Sequence, residues 1–131
     1  MRGPIVAVIA VGVAVAVPSA LAQNGAGAKA MHVTENEWGI SGVPAKVQAG
    51  AELRITVTNR GGVLHELVLE HGGCAKQCAV KIGGKNAELE NLAPGTSRSA
   101  IWTITKPGTY TFTCRKPGHW KAGMRRTFTV S

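Results

Sequence analysis

The segment Gly108-Thr-Tyr-Thr-Phe-Thr-Cys114 alternates polar and apolar residues and runs straight into Arg-Lys-Pro-Gly-His119-Trp-Lys-Ala-Gly-Met124. With Tyr110, Phe112 and Cys114 in phase, the alternation predicts a half-buried strand whose last inward side chain is a thiol. Pro117-Gly118 turns the chain just before His119, and Gly123 precedes Met124, so the following loop folds back over that thiol. A fold that accepts this segment must end a core strand beside its own return loop. A thiolate, an imidazole and a thioether then converge with no carboxylate between them. That soft donor set selects copper: two His and one Cys in a trigonal plane, with a long axial Met, is the arrangement used for electron transfer.

The loop supplies three of those four donors, Cys114, His119 and Met124. His65, in Gly-Gly-Val-Leu-His65-Glu-Leu-Val-Leu, is in phase with Leu67 and Leu69 and is the expected fourth. Each residue alone has an ordinary explanation, because buried Cys and Met and a satisfied core His are common. The conjunction of these types in this order on one loop is what favours a metal. Zinc also takes His and Cys, but its structural sites are closed tetrahedra of nitrogen and thiolate donors. A thioether in fourth place suits copper better.

The rest of the chain reads as short strands. Glu52–Thr58 places Leu53, Ile55 and Val57 on one face, and Thr127–Val130 places Phe128 and Val130 in phase. Further strands are expected at His32–Glu35, Val43–Gln48, Leu64–Glu70 and Ser97–Ile104, with turns at Gly50, Asn59–Gly62, Pro94-Gly95 and Pro107-Gly108. Seven to eight such strands predict an all-β, antiparallel Greek-key sandwich. His71–Asn91 breaks the rhythm, with two cysteines, several glycines and a possible helical turn over Ala75–Val80. It is expected to lie across one edge as a long connection.

Residues 1–22 have the character of a signal peptide: Arg2 first, an apolar run from Ile5 to Val17, then Pro18-Ser-Ala-Leu-Ala22 as a small-residue cleavage site. The run is shorter than the ~20 residues of a membrane-spanning helix, and a retained anchor is the alternative. Residues 23–30 are expected to be a flexible lead-in and 31–131 one domain. Export places the protein in a periplasm or outside the cell, where disulfides persist. The chain carries 15 Lys and Arg against seven acidic residues, all Glu, for a formal +8, or +7 without Arg2. No basic stretch is interleaved with aromatics, so an acidic protein partner is expected and nucleic acid is not.

The C-x4-H-x4-M loop, the upstream N-x-G-x3-H (Asn59, Gly61, His65) and the strand Gly-Thr-Tyr-Thr-Phe-Thr-Cys together resemble the cupredoxins. Within them the chain is similar to the plastocyanin/azurin group, with the ligand spacing of rusticyanin and auracyanin. The resemblance covers Met31–Ser131. It implies a Greek-key sandwich holding one type 1 copper ion through His65, Cys114 and His119, with Met124 as a weak axial ligand. Many relatives carry Asn directly after the first His, where it ties the two ligand loops together, whereas this chain has Glu66. Cys74 and Cys78 either form a disulfide or join His71 in a second, Cu(I)-type site.

No Ser-His-Asp set, carboxylate pair, phosphate loop or open metal position is evident, so catalysis is not expected. Two readings remain, a diffusible electron carrier and a copper carrier or resistance protein. In the first, His119 reaches the surface as the electron exit, ringed by Arg115, Lys116, Lys121, Arg125 and Arg126 as a docking surface for an acidic redox protein.

Overall fold

The computed structural model describes residues 28–72 and 78–131. The alternating segments form strands in chain order: β1 (Lys29–Asn36), β2 (Gly39–Ser41), β3 (Lys46–Val47), β4 (Glu52–Asn59), β5 (His65–His71), β6 (Lys81–Ile82) and β7 (Lys85–Asn86). They continue with β8 (Glu88–Leu92), β9 (Ser97–Thr103), β10 (Gly108–Thr113) and β11 (Arg125–Val130), while α1 (His119–Ala122) is a single helical turn. One sheet has the order β2-β1-β4-β9 and the other β3-β11-β10-β5-β8. Together they make the expected Greek-key β-sandwich.

The inward faces are those the alternation marks. Leu53, Ile55 and Val57 of β4 are fully buried and meet Leu67, Leu69, Phe112 and Phe128 in one core. Burying each such side chain contributes about 1.5–3 kcal/mol. Phe112 and Phe128 stack with centroids 5.1 Å apart, flanked by Trp102 and Tyr110. The Tyr110 hydroxyl donates to the Lys106 carbonyl at 2.7 Å, so the polar end of a buried ring is satisfied.

Several expectations need correction. The sandwich is not purely antiparallel, since β1 pairs parallel to β4 and β3 parallel to β11. Alternation reports which face a residue takes and is silent on strand direction. β1 begins three residues before the expected His32. The strand expected over Val43–Gln48 shrinks to β3, because Pro44 offers no N–H to a ladder. The connection from His71 to Asn91 contains a small β6–β7 hairpin and most of the edge strand β8. The helical turn expected at Ala75–Val80 falls partly outside the described residues, and Ala79 instead bridges Glu70 in antiparallel fashion.

β10 and β5 are antiparallel neighbours, with Thr113 opposite Val68. Cys114, just past the end of β10, therefore leaves the sheet close to where His65 begins β5. Two of the expected donors thus meet at one pole of the sandwich through strand pairing.

Candidate metal centre

His65 and Cys114 are fully buried, as their strand parity requires, and His119 is half-buried on α1. Gly118 and Gly123, at φ 81° and 120°, bracket that turn in conformations that favour glycine. The Cys114 N–H donates to the Met124 carbonyl and the Met124 N–H to the His119 carbonyl, each at 3.1 Å. The loop is thus closed on itself by backbone bonds, and the fully buried Met124 side chain lies at its end.

Three donor atoms converge. His65 Nδ1 is 3.2 Å from His119 Nδ1, and the Cys114 sulfur is 3.3 Å from the latter and 3.9 Å from the former. The circle through these atoms has a radius of about 2.0 Å, which matches metal–nitrogen and nearly matches metal–thiolate bond lengths. Among the described residues this is the one group of three His, Cys or acidic side chains close enough to hold a metal. Burial lowers the His119 pKa, with the neighbouring His65 adding to the effect, so its imidazole offers a lone pair at neutral pH. Burial also raises the Cys114 thiol, so metal uptake must displace a proton from it. Soft sulfur, two imidazoles and a buried thioether fit copper.

Two residues of the site come from the turn between β1 and β2 and carry no local signature in the sequence. Glu37 Oε1 accepts a hydrogen bond from His65 Nε2 at 3.0 Å. The same carboxylate accepts the Gly62 N–H on both oxygens and the Val63 N–H at 3.2 Å. These contacts, led by the Gly62 amide, hold its pKa below the usual carboxylate range. Trp38 packs edge-on against His119 at 4.9 Å and against His65 at 6.5 Å, with 47 % of its surface exposed. The signal that was available is the Asn59-Arg-Gly-Gly62 turn. Asn59 is buried and donates to the Val63 and Leu92 carbonyls while accepting the Gly61 N–H, which fixes a loop of amides in search of an acceptor.

Glu66, the departure after the first His, still ties the ligand loops: its Oε1 accepts the Arg115 N–H at 3.1 Å. The basic ring is not uniform. Arg115 makes a two-bond ion pair with Glu70 at 2.7 Å, with both side chains nearly buried. Removing one partner of such a pair costs about 3–5 kcal/mol, so Arg115 belongs to the structure more than to the surface. Lys116 approaches Glu66 at 3.7 Å, and Arg125 lies 4.3 Å over the Trp120 ring. Lys121, Arg125 and Arg126 are exposed. At the far pole Cys78 is disulfide-bonded and His71 packs against Tyr110, whereas Cys74 lies outside the described residues. Cys78 as a disulfide sulfur is not the thiolate that a Cu(I) site with His71 requires.

The family described as copper binding proteins of the plastocyanin/azurin type matches residues 28–131. The chain belongs to that family. Its cofactor is accordingly copper, in a site of the type 1 kind. Among family relatives, the "Copper-resistant cuproprotein CopI" of Rubrivivax gelatinosus is 32% identical over 85 residues, covering 60% of this chain and 51% of that protein. Auracyanin-B of Chloroflexus aurantiacus is 32% identical over 101 residues, covering 63% of this chain and 43% of that protein. The chain therefore spans about half the length of the curated relatives it matches. A solved structure of auracyanin B superposes with a TM-score of 0.64 at 27% identity, over 79% of this chain and 89% of the other.

Proposed function

We propose that this protein is a carrier of single electrons that cycles one copper ion between Cu(I) and Cu(II), with His65, Cys114 and His119 as its ligands and Met124 as a weak axial fourth. The observation that carries this reading is the trigonal set of two Nδ1 atoms and one sulfur, all at bonding radius from one common centre. Donors held on a core strand end and a backbone-closed loop suit an ion that changes charge with little ligand motion. With Met124 as the fourth ligand such a site has no open position for a substrate or a water, so the reading is of a carrier and not an enzyme. Residues 1–22 are read as a signal peptide directing the protein to the periplasm or the cell exterior. The disulfide at Cys78 agrees with an oxidising compartment.

A second reading, handling of the metal itself, is favoured by the similarity to the copper-resistant cuproprotein. Titrating the mature protein with copper, followed by visible and EPR spectra, separates the two. One intensely coloured copper per chain supports the electron carrier. A second, colourless Cu(I) supports metal handling, and no coloured species at all sinks the first reading.

The proposed partner is an acidic redox protein that docks over His119. Arg115 and Lys116 are engaged by Glu70 and Glu66, so the steering charge rests on Lys121, Arg125 and Arg126. Lys121→Glu with Arg126→Glu is expected to slow association with an acidic redox protein about tenfold or more at low salt. The difference should fade as ionic strength approaches the range where the Debye length is ~8 Å. Stopped-flow electron transfer at several salt concentrations reads this out. A rate indifferent to both changes would mean that docking is apolar, through Trp38, Val63 and Leu64, which are exposed.

A further inference from the structure

We infer that Glu37 is a positioning residue of the copper centre, which fixes the tautomer and orientation of His65 through Nε2 and biases the site toward Cu(II). The inference deepens the reading above and rests on it. A carboxylate only accepts hydrogen bonds, so the 3.0 Å contact places the ring proton on Nε2 and leaves the Nδ1 lone pair facing His119 and Cys114. An anion opposite the metal makes the imidazole a stronger base and a better donor to the more highly charged ion.

Glu37 is itself held in place. The amides of Gly62 and Val63 grip the carboxylate, and Asn59 grips the loop that carries them. A Cβ at Gly61 would meet the end of the Glu37 side chain, so a larger residue there would push the carboxylate out of its present place. The Asn59-x-Gly61-x3-His65 spacing thus has a physical meaning: it builds a cradle for a distant acid and delivers the histidine that the acid orients.

The test compares wild type, Glu37→Gln and Glu37→Ala. Gln keeps one acceptor oxygen for the loop amides and His65 while it removes the charge, whereas Ala removes every acceptor. The readouts are the affinity for copper(II), the affinity for copper(I) and the reduction potential. Glu37→Gln is expected to weaken copper(II) about 10-fold or more while sparing copper(I), a rise of about 59 mV for each tenfold difference between the two ions. Should the variants misfold, the wild type alone still decides through 15N NMR of the His65 ring in the Cu(I) form. Nε2 must carry a slowly exchanging proton. An unshifted potential in Glu37→Gln, or an Nε2 that is unprotonated or exchanges freely, overturns the proposal and leaves the copper reading intact. A wild type that takes up no copper overturns both.

Discussion

Cys114→Ser is expected to abolish the intense visible absorption of the copper-loaded protein while the sandwich still folds. The colour of such sites comes from charge transfer out of a thiolate, and Cys114 is the one cysteine that is buried and free among the described residues. A serine hydroxyl is not ionised at neutral pH, so even a copper retained by His65 and His119 would be pale. Folding should survive because the core is a continuous cluster from Met31 to Val130 that owes nothing to a metal. Burying an incompletely paired hydroxyl costs only about 1–3 kcal/mol. Absorption and EPR of copper-loaded protein, with far-UV circular dichroism as the folding control, check the result. A variant that kept a strong thiolate band would refute the ligand assignment.

Glu35 should make the metal-free protein lose stability as pH rises from 5 to 8. The side chain points into the core, is fully buried, and neither carboxylate oxygen has a hydrogen-bond partner. Burial, with a smaller push from Glu66, raises its pKa from 4.5 to about 8. A group raised on folding contributes stability that is present below its unfolded pKa and lost as pH climbs through the folded one. Here that window runs from 4.5 to about 8, and a shift of that size corresponds to roughly 4–5 kcal/mol across it. His119 is shifted the opposite way, so it opposes the trend at the acid end. Glu35→Met isolates the effect, since it keeps the volume and discards the charge. Urea denaturation at pH 5, 6.5 and 8 should show the variant flat or gaining where the wild type declines. Identical slopes in the two proteins would mean that Glu35 finds a partner in solution.

The candidate donors were legible because each lies on a strand with clear parity or on a loop whose turn residues announce themselves. Leu53, Ile55 and Val57, and Phe112 with Cys114, sit where period-two alternation places them. Glu35 was equally legible, being in phase with Met31 and Val33, yet a lone acid in a strand is easily taken as solvent-facing. Glu37 and Trp38 were not legible at all. They reach His65 and His119 across 28 and 81 residues of sequence, and only the parallel pairing of β1 with β4 brings their turn to the Asn59 loop. Glu66 was read as a departure by residue type, although its carboxylate accepts the same kind of backbone bond that an amide side chain would. The basic residues after Cys114 looked like one ring because sequence shows charge and hides partners. Glu70, 45 residues upstream, removes Arg115 from that ring.

His65 opens β5 and Cys114 follows β10, and these two strands lie side by side inside the five-stranded sheet, with β11 and β8 on either flank. Each is therefore anchored to a strand with a neighbour on both sides, where opening costs more than at a sheet edge. The arc between Arg115 and Gly123, which carries His119 and the single turn α1, is then the segment expected to open when an ion enters or leaves. Metal exchange and global unfolding become separate events with separate barriers. Amide hydrogens of β5 and β10 should rank among the slowest in the molecule to exchange with solvent, while those of the arc register every opening of the site.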